Sequence, residues 1–257
     1  MTSNESSLES VKEKLKTLRL KSCADNIPQT LERAEKQNIS ILQTIERLLD
    51  LELEHRRQNR IHLKFKQSKL FEKPTIDHFD FHFHISRTKQ KARILHLMDL
   101  DFIPQKKDII FIGYTGTGKS FLAKCIAYAS TQAGVGALFT TAMDMINHLV
   151  AAEADRSLLK KLHLYQAPEV LIIDEVGYLP LGNEGSNLFF QVISARHEKK
   201  STVITTNLPF ADWGKIFDST TVATAIADRL VNNSEVIILE GPSYRTKPKT
   251  KDKMIEK

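Results

Sequence analysis

The segment GYTGTGKS, residues 113 to 120, constrains the fold of this 257-residue chain more than any other. It has the spacing G-x-x-x-x-G-K-[ST], follows an apolar run at 109–112 and precedes FLAKCIAYAS, which has helical periodicity. A strand, a glycine loop and the start of a helix form the context of a P-loop. The sequence therefore predicts an α/β fold in which this loop follows a strand.

The fixed positions of the loop suit a phosphate chain. Glycines at 113, 116 and 118 permit turns that aim consecutive N–H groups into one concavity at a helix N-terminus. Lys119 supplies a cation for the β and γ phosphates, and the Ser120 hydroxyl is placed to bind Mg²⁺. The alternative is a glycine-rich turn that binds nothing, but all four fixed positions and both flanks match. We expect a nucleoside triphosphate here.

A second apolar run, VLII at 170–173, ends in two acids. Such a run is expected of a parallel strand buried on both faces, and it delivers Asp174 and Glu175 at its carboxyl end. We interpret the pair as a Walker B motif, in which Asp174 holds Mg²⁺ and Glu175 polarises the attacking water. The alternative is that two acids end a strand by chance.

Polar residues also end a later strand, in Thr205-Thr206-Asn207. Asn207 is the candidate to orient the water, and the competing interpretation is a loop-capping asparagine. From residue 109 strands and helices alternate, which predicts a doubly wound parallel sheet. Arg229 on a predicted helix and Arg245 after the last strand are candidates to reach a neighbour's γ-phosphate, although either could equally form a surface ion pair.

The first 74 residues predict a small all-α domain. One helical face would hold Leu8, Val11, Leu15 and Leu18. This first helix is expected to end, and a second to start, at Asn26-Ile27-Pro28. A capping box of Ser40 and Gln43 is predicted before a third helix. Residues 75–107 are expected to be a linker. Within it, apolar and polar residues alternate at 76–85, which predicts a half-buried strand or extended segment. We interpret His78, His82 and His84 as a polar face rather than a metal site. A helix is predicted at 86–107.

Charge is unevenly distributed along the chain. Residues 1–107 carry 21 Lys and Arg against 15 Asp and Glu, residues 108–241 carry 10 against 14, and residues 242–257 carry 6 against 2. Basic flanks around a mildly acidic centre suggest a polyanionic partner. Positive charge is densest at residues 55–73. We interpret this stretch as a surface that binds nucleic acid, and the alternative interpretation is a solvated helix face. The predicted nucleic-acid contacts are Arg56, Arg57, Asn59, Arg60, Lys64, Lys66 and Lys69.

The sequence contains no recognisable signal for membrane insertion or export. No run approaches the ~18 apolar residues of a membrane span, and MTSNESSLESVKEK has no hydrophobic signal core. We expect a cytoplasmic bacterial protein without a membrane partner. Cys23 and Cys125 lie far apart and outside any C-x-x-C pair, so both are expected to be buried, reduced thiols.

Longer segments resemble a known family. The run VLIIDEVGYLPLGNEGSNLFFQVISARHEKKSTVITTNLPFADWGKIF, with the later ADRLVNNSEVIILEGPSYR, is similar to the IstB-type transposition helper ATPases of bacterial insertion sequences. These are AAA+ proteins akin to the DnaC-type helicase loaders. The resemblance is strong from about residue 75 to Arg245, and GYLPL, LFFQVIS-x-R and TTNLPF-x-x-WG are its specific motifs. The P-loop and Walker B are shared far more widely.

The resemblance implies a role for each matched residue. It implies Mg²⁺ binding and hydrolysis at Asp174 and Glu175, a sensor-1 role for Asn207, an arginine finger acting across a subunit boundary at Arg229, and a sensor-2 role for Arg245. Because twelve residues follow Arg245, no C-terminal helical lid is expected within the AAA+ domain at 108–245, and residues 246–257 form a basic tail. The implied nucleotide contacts are Gly113, Tyr114, Thr115, Gly116, Thr117, Gly118, Lys119 and Ser120.

The family also implies a function. The protein would be an Mg²⁺-dependent ATPase that oligomerises on double-stranded target DNA, deforms this DNA and delivers it to a cognate transposase. A DnaC-like replicative helicase loader and an ATP-gated scaffold with little turnover remain as alternatives. The basic stretch at 55–73 and the GYLPL and TTNLPF motifs favour the first.

Overall fold

The computed structural model describes residues 3–246. They fall into two compact units divided between Leu63 and Lys64. No helix in this part of the chain is both long and apolar enough to cross a membrane. The helices are α1 (Ser3–Thr17), α2 (Lys21–Gln37), α3 (Ile41–Gln67), α4 (Ile85–Leu97), α5 (Lys119–Gln132), α6 (Ala142–Ala154), α7 (Leu158–Gln166), α8 (Gly182–Arg196) and α9 (Thr220–Asn232). The strands are β1 (Asp108–Gly113), β2 (Ala137–Thr141), β3 (Val170–Val176), β4 (Ser201–Thr206) and β5 (Ser234–Leu239).

The N-terminal unit is helical, as predicted, but its first break is elsewhere. Pro28 lies inside α2, and the chain turns between α1 and α2 at Arg19, whose φ is +59°. A proline within a helix removes one backbone hydrogen bond. Buried Cys23 and Ile27 on the same helix supply packing that offsets this loss. The predicted break at Asn26-Ile27-Pro28 is therefore wrong.

Two polar contacts fix the ends of helices in this unit. The capping box is confirmed, since the Ser40 amide donates to Gln43 Oε1 at 3.3 Å and the Gln43 amide donates to Ser40 Oγ at 3.3 Å. Buried Glu52 accepts from the amides of Ser22 at 2.8 Å and Cys23 at 3.3 Å, at the start of α2. Burial opposes ionisation of Glu52, but these hydrogen bonds and one from Arg56 outweigh it and lower its pKa.

The segment at 76–85 is not a strand. It forms a 3₁₀ turn at Ile76–His78 and then bends into α4, where His84 Nδ1 accepts from the Ser86 amide at 3.2 Å. Phe79 and Phe81 are buried as the alternation predicts, with ring centroids 4.9 Å apart. Both residues belong to the apolar cluster that also includes residues of α4, α5 and β1, and neither is part of a strand. Their burial therefore comes from packing and not from a β-ladder.

The second unit is built on a five-stranded parallel sheet in the order β2-β3-β4-β1-β5. One apolar cluster includes Ile109 and Phe111 with residues of α4 and α5, and the other includes Ile110 with residues of α6 to α9. Adjacent side chains of β1 therefore face opposite layers of helices. This confirms the predicted doubly wound fold and places the carboxyl ends of β1, β3 and β4 side by side.

At the opposite edge, buried Arg196 joins several segments. It donates to the carbonyls of Tyr165 at 3.0 Å, Pro168 at 2.8 Å and Ser201 at 2.5 Å, and burial lowers its pKa to about 10. Asp108 is buried nearby on β1 and accepts from the Thr202 amide at 2.6 Å. Arg196 ends the LFFQVIS-x-R motif, so that arginine has a structural function.

Candidate active site

The P-loop joins β1 to α5 as predicted. Gly116 and Gly118 have φ of +81° and +105°, which only glycine adopts without strain. A Cβ on Gly116 would lie 2.0 Å from Ser243 Oγ, so the C-terminal segment also excludes a side chain there. Thr117 is buried and its hydroxyl donates to the Tyr114 carbonyl at 2.8 Å, which closes the turn.

Lys119 is folded back onto this loop. Its Nζ donates to the carbonyls of Gly113 at 2.7 Å and Tyr114 at 2.9 Å, and the residue is 9 % exposed. Burial lowers the pKa of Lys119, and the charge of Arg245 lowers it further. The carboxylates of Asp174 and Glu175 act in the opposite direction. An ammonium group in a partly desolvated loop favours a polyanionic ligand.

The two acids at the end of β3 point to different environments. Asp174 is 5 % exposed and accepts a hydrogen bond from the Thr205 hydroxyl, whereas Glu175 is exposed and has φ of +62°. The register of β3 against β4 shifts between Ile173 and Val176, which marks a bulge at this pair. A left-handed glutamate at a strand end is a strained conformation of the kind found at functional sites.

A small cavity of about 40 Å³ lies where these ends meet. Asn207 contributes to it, and its Oδ1 is buried without a hydrogen-bond partner among the described residues. Buried polar atoms are normally paired, so this unpaired oxygen makes Asn207 an exception beside the cavity. The residues lining the cavity are Thr115, Gly116, Lys119, Ser120, Glu175, Tyr178, Thr205, Thr206, Asn207 and Arg245.

A larger cavity of about 230 Å³ adjoins the other side of the loop. Its walls combine aromatic rings with a few polar groups, the character expected of a nucleoside site. Ser120, Lys119 and Arg245 border both cavities. The lining residues are His78, Phe79, Asp80, Arg87, Gly116, Gly118, Lys119, Ser120, Phe121, Tyr244 and Arg245.

Arg245 and Arg229 are placed differently. The Tyr244 amide donates to the Gly116 carbonyl at 2.9 Å, which fastens the segment bearing Arg245 across the P-loop. Arg229 is on α9, where it donates to the Ala225 carbonyl at 2.9 Å and its guanidinium lies 4.6 Å from the Phe190 ring centroid. Arg245 therefore joins the site of its own chain, and Arg229 lines neither cavity.

The predicted nucleic-acid residues of the N-terminal unit are exposed on α3, but some have partners. Arg56 bonds Glu52 Oε1 at 2.8 Å and the Arg19 carbonyl at 2.9 Å, and Arg57 lies 3.6 Å from Glu54. Asn59 contacts His55 at 2.8 Å. Of the three predicted arginines, Arg57 and Arg60 are therefore the least committed to structure.

Of the three predicted lysines in the second unit, Lys66 and Lys69 are exposed. Lys64 is half-buried and lines a cavity with Gly136, His163 and Pro168. It is the least accessible of the seven predicted contacts. The tail at Lys247 to Lys253, a further basic stretch, lies outside the described residues.

The sequence did not identify three residues that build the site. The sequence pattern marks Thr205 only as a polar strand end and assigns no function to Arg87 or Tyr244. The available signal for Arg87 is a basic residue four positions after the last of the alternating phenylalanines, and no local pattern indicates Tyr244. Both reach the P-loop by tertiary contacts.

A parallel sheet in this order, with a P-loop after β1 and an acidic pair at the carboxyl end of β3, defines an AAA+ P-loop nucleotide-binding protein. The sequence also matches the family model of the IstB-like ATP binding proteins over residues 13–252. The chain belongs to this family, which confirms the resemblance inferred from its motifs.

Related sequences come from insertion sequences. The chain is 35 % identical over 233 residues to the insertion sequence IS232 putative ATP-binding protein of Bacillus thuringiensis subsp. berliner, covering 91 % of this chain and 92 % of that protein. It is 38 % identical over 218 residues to the IS5376 putative ATP-binding protein of Geobacillus stearothermophilus, covering 85 % and 86 %.

Solved structures share the fold. The DnaC helicase loader superposes with a TM-score of 0.56 at 21 % identity, covering 65 % of this chain and 96 % of that one. AMPPCP-bound DnaA from Aquifex aeolicus gives 0.57 at 16 % identity, covering 69 % and 53 %. At these identities the likeness concerns the fold alone.

Proposed function

We propose that this protein is an Mg²⁺-dependent ATPase that assembles on double-stranded target DNA and delivers it to a cognate transposase. The observation that carries the proposal is that Lys119, Glu175, Asn207 and Arg245 line one cavity, whereas Arg229 lies apart from it. A site with hydrolytic groups but a distant arginine suits catalysis completed by a second subunit. The insertion-sequence origin of the relatives supports the transposition role.

The phosphate chain of ATP would lie on the P-loop, with Lys119 exchanging its two carbonyl partners for phosphate oxygens. Ser120 and Asp174 offer a hydroxyl and a carboxylate, the oxygen donors that Mg²⁺ prefers. One carboxylate oxygen of Asp174 is already held by Thr205, which fixes the orientation of the other. When bound there, Mg²⁺ would neutralise charge on the β and γ phosphates.

Hydrolysis would depend on Glu175 and Asn207. Glu175 is exposed at the cavity and would polarise the attacking water, while Asn207, which also lines the cavity, would orient the same water through its side-chain amide. Arg245 would stabilise charge on the γ-phosphate from within the chain. Arg229 would do so from a neighbouring subunit, which links ATP binding to oligomerisation.

DNA would bind through the exposed basic residues of α3 and the residues that follow it. Contact would be mainly with phosphates, so affinity should fall steeply with salt and sequence preference should be weak. An oligomer repeats this surface along the duplex, and any site bias would come from DNA deformability.

The direct test compares Lys119→Ala with Lys124→Ala, a variant of a half-buried lysine on the same helix whose partner is Glu72 at 3.0 Å. We expect Lys119→Ala to abolish ATP binding and, with it, ATP-dependent capture of the purified cognate transposase on duplex DNA. Lys124→Ala should retain both. Unchanged ATP affinity in Lys119→Ala would refute the site. Capture of a replicative helicase in place of the transposase would replace the transposition role with helicase loading.

A further inference from the structure

Arg87, in the first turn of α4, occupies an unusual position beside the candidate nucleotide site. The residue is 3 % exposed. Its guanidinium carbon lies 4.4 Å from the ring centroid of Phe79, 5.0 Å from that of Phe83 and 4.9 Å from that of Tyr244. Three aromatic rings therefore surround one cation, an arrangement that stabilises a desolvated charge.

The edges of the same guanidinium are hydrogen bonded. One terminal nitrogen donates to the Asp80 carbonyl at 3.0 Å, and the other donates to the Thr117 carbonyl at 2.9 Å. Thr117 belongs to the P-loop and directly precedes Gly118 and Lys119. A Cβ on Gly118 would lie 3.2 Å from an Arg87 nitrogen, so the arginine also limits what can stand at that position.

These contacts connect three segments that are distant in sequence. Phe79 and Asp80 form a wall of the larger cavity, Thr117 is in the P-loop, and Tyr244 precedes Arg245. Tyr244 is itself tied to the P-loop by its amide, which donates to the Gly116 carbonyl at 2.9 Å. Arg87 and Tyr244 thus contact each other and both contact the P-loop.

We propose that Arg87 is a positioning residue that holds the P-loop, the nucleoside wall and the Arg245 segment in the geometry required to bind ATP. The inference rests on the proposed nucleotide site and adds a residue that does not reach the phosphates itself. Arginine suits this function because its planar group can stack on rings while its edges donate in fixed directions. The compact ammonium of lysine cannot do both.

The test is a double-mutant cycle on ATP affinity with Arg87→Lys and Tyr244→Leu. Arg87→Lys retains the charge and tests the planar group, and Arg93→Lys is its matched control. Arg93 is on the same helix, where it contacts Glu235 at 2.9 Å outside both cavities. We expect Arg87→Lys to weaken ATP binding about tenfold and Arg93→Lys to leave it unchanged.

Energetic coupling between Arg87 and Tyr244 in ATP affinity distinguishes a positioning function from a general effect on folding. If Arg87 and Tyr244 act as one unit, the double variant should bind ATP several-fold more tightly than the product of the two single losses implies, at temperatures where all variants are folded. Wild-type ATP affinity in Arg87→Lys, multiplicative losses, or a lowered unfolding midpoint without loss of affinity would each overturn the proposal. If Lys119→Ala also binds ATP normally, the site itself is wrong. If only Arg87→Lys does, the inference alone fails.

Discussion

The hydroxyl of Thr205 donates a hydrogen bond to the carboxylate of Asp174. The same Thr205 oxygen accepts from the Glu175 amide at 3.0 Å. One side chain on β4 therefore fixes the positions of both acids at the end of β3, including the glutamate whose φ is +62°. This contact across two strands holds the bulge in place.

We expect Thr205→Val to reduce the rate of ATP hydrolysis by about 10- to 100-fold, because the two acids lose their common anchor. ATP affinity should change little, since Lys119 and the P-loop are untouched. Removal of these hydrogen bonds should lower the free energy of unfolding by about 1–3 kcal/mol. Phosphate release, nucleotide titration and urea unfolding measure the three effects.

The matched control is Thr140→Val, which alters a buried threonine on β2 whose hydroxyl donates to the Thr141 carbonyl at 3.1 Å. It should keep the wild-type rate of hydrolysis. An equal loss of rate in both variants would mean that Thr205 acts only through stability.

Asp108 should make stability depend on pH. Burial raises its pKa from 3.8 to about 7, against the hydrogen bond from Thr202 and the charge of Arg196. Between these pH values the folded state holds a proton that the unfolded state has lost, so stability falls as pH rises from about 4 through 7.

We expect Asp108→Asn to reduce that fall, since the amide keeps an acceptor for Thr202 without titrating. The difference in the free energy of unfolding between wild type and variant should change by up to about 1 kcal/mol per pH unit in this window. Urea unfolding at several pH values measures it. Parallel curves for the two proteins would show that Asp108 does not titrate there.

Arg57 and Arg60 should contribute to DNA affinity without supporting the fold. We leave Arg56 intact because it is bonded to Glu52 and to the Arg19 carbonyl. Replacing both exposed arginines with alanine should weaken duplex binding and reduce the slope of log K against log salt by about 0.9 for each phosphate that the protein no longer neutralises. Binding titrations over a range of salt concentrations measure both quantities.

The control for charge is Lys14→Ala with Lys36→Ala, which removes two positive charges from α1 and α2 of the same unit. This double variant should keep the wild-type slope. Equal effects of the two pairs would mean that net charge, and not a surface on α3, attracts the duplex.

A site completed by Arg229 of a second subunit, as proposed, predicts complementation between two inactive variants. Arg229→Ala has an intact P-loop but no finger, and Glu175→Gln has the finger but no group to activate water. In a mixture, a site formed by the first variant receives Arg229 from the second. We expect each variant alone to be nearly inactive in phosphate release and the mixture to recover a measurable rate. A mixture no faster than the sum of its parts would place the action of Arg229 within its own chain.

Much of the second unit could be predicted because its signals are local. The strands β1 and β3 are buried on both faces and therefore appear as continuous apolar runs, and the P-loop depends on fixed spacing. The acids at the carboxyl end of β3 could be assigned from that strand alone. The alternation of helices and strands along the chain predicts a parallel, doubly wound sheet, and the structure confirms this prediction.

The remaining features depend on contacts between distant residues. Periodicity at Phe79 and Phe81 correctly predicted burial but not its geometry, because a β-strand and an inserted aromatic pair bury alternate residues alike. Pro28 is tolerated within α2 by packing that no local pattern reveals. The cluster of Arg87 with Tyr244 forms only when the C-terminal segment crosses the P-loop.

Mass determination of the protein on duplex DNA tests the central claim most directly, with Glu175→Gln used to prevent turnover. With ATP and Mg²⁺ we predict a complex containing several subunits on each duplex. With ADP, or with Glu175→Gln combined with Arg229→Ala, that complex should be largely absent. The same mass with ATP and with ADP would contradict an active site that is completed by a neighbouring subunit on DNA.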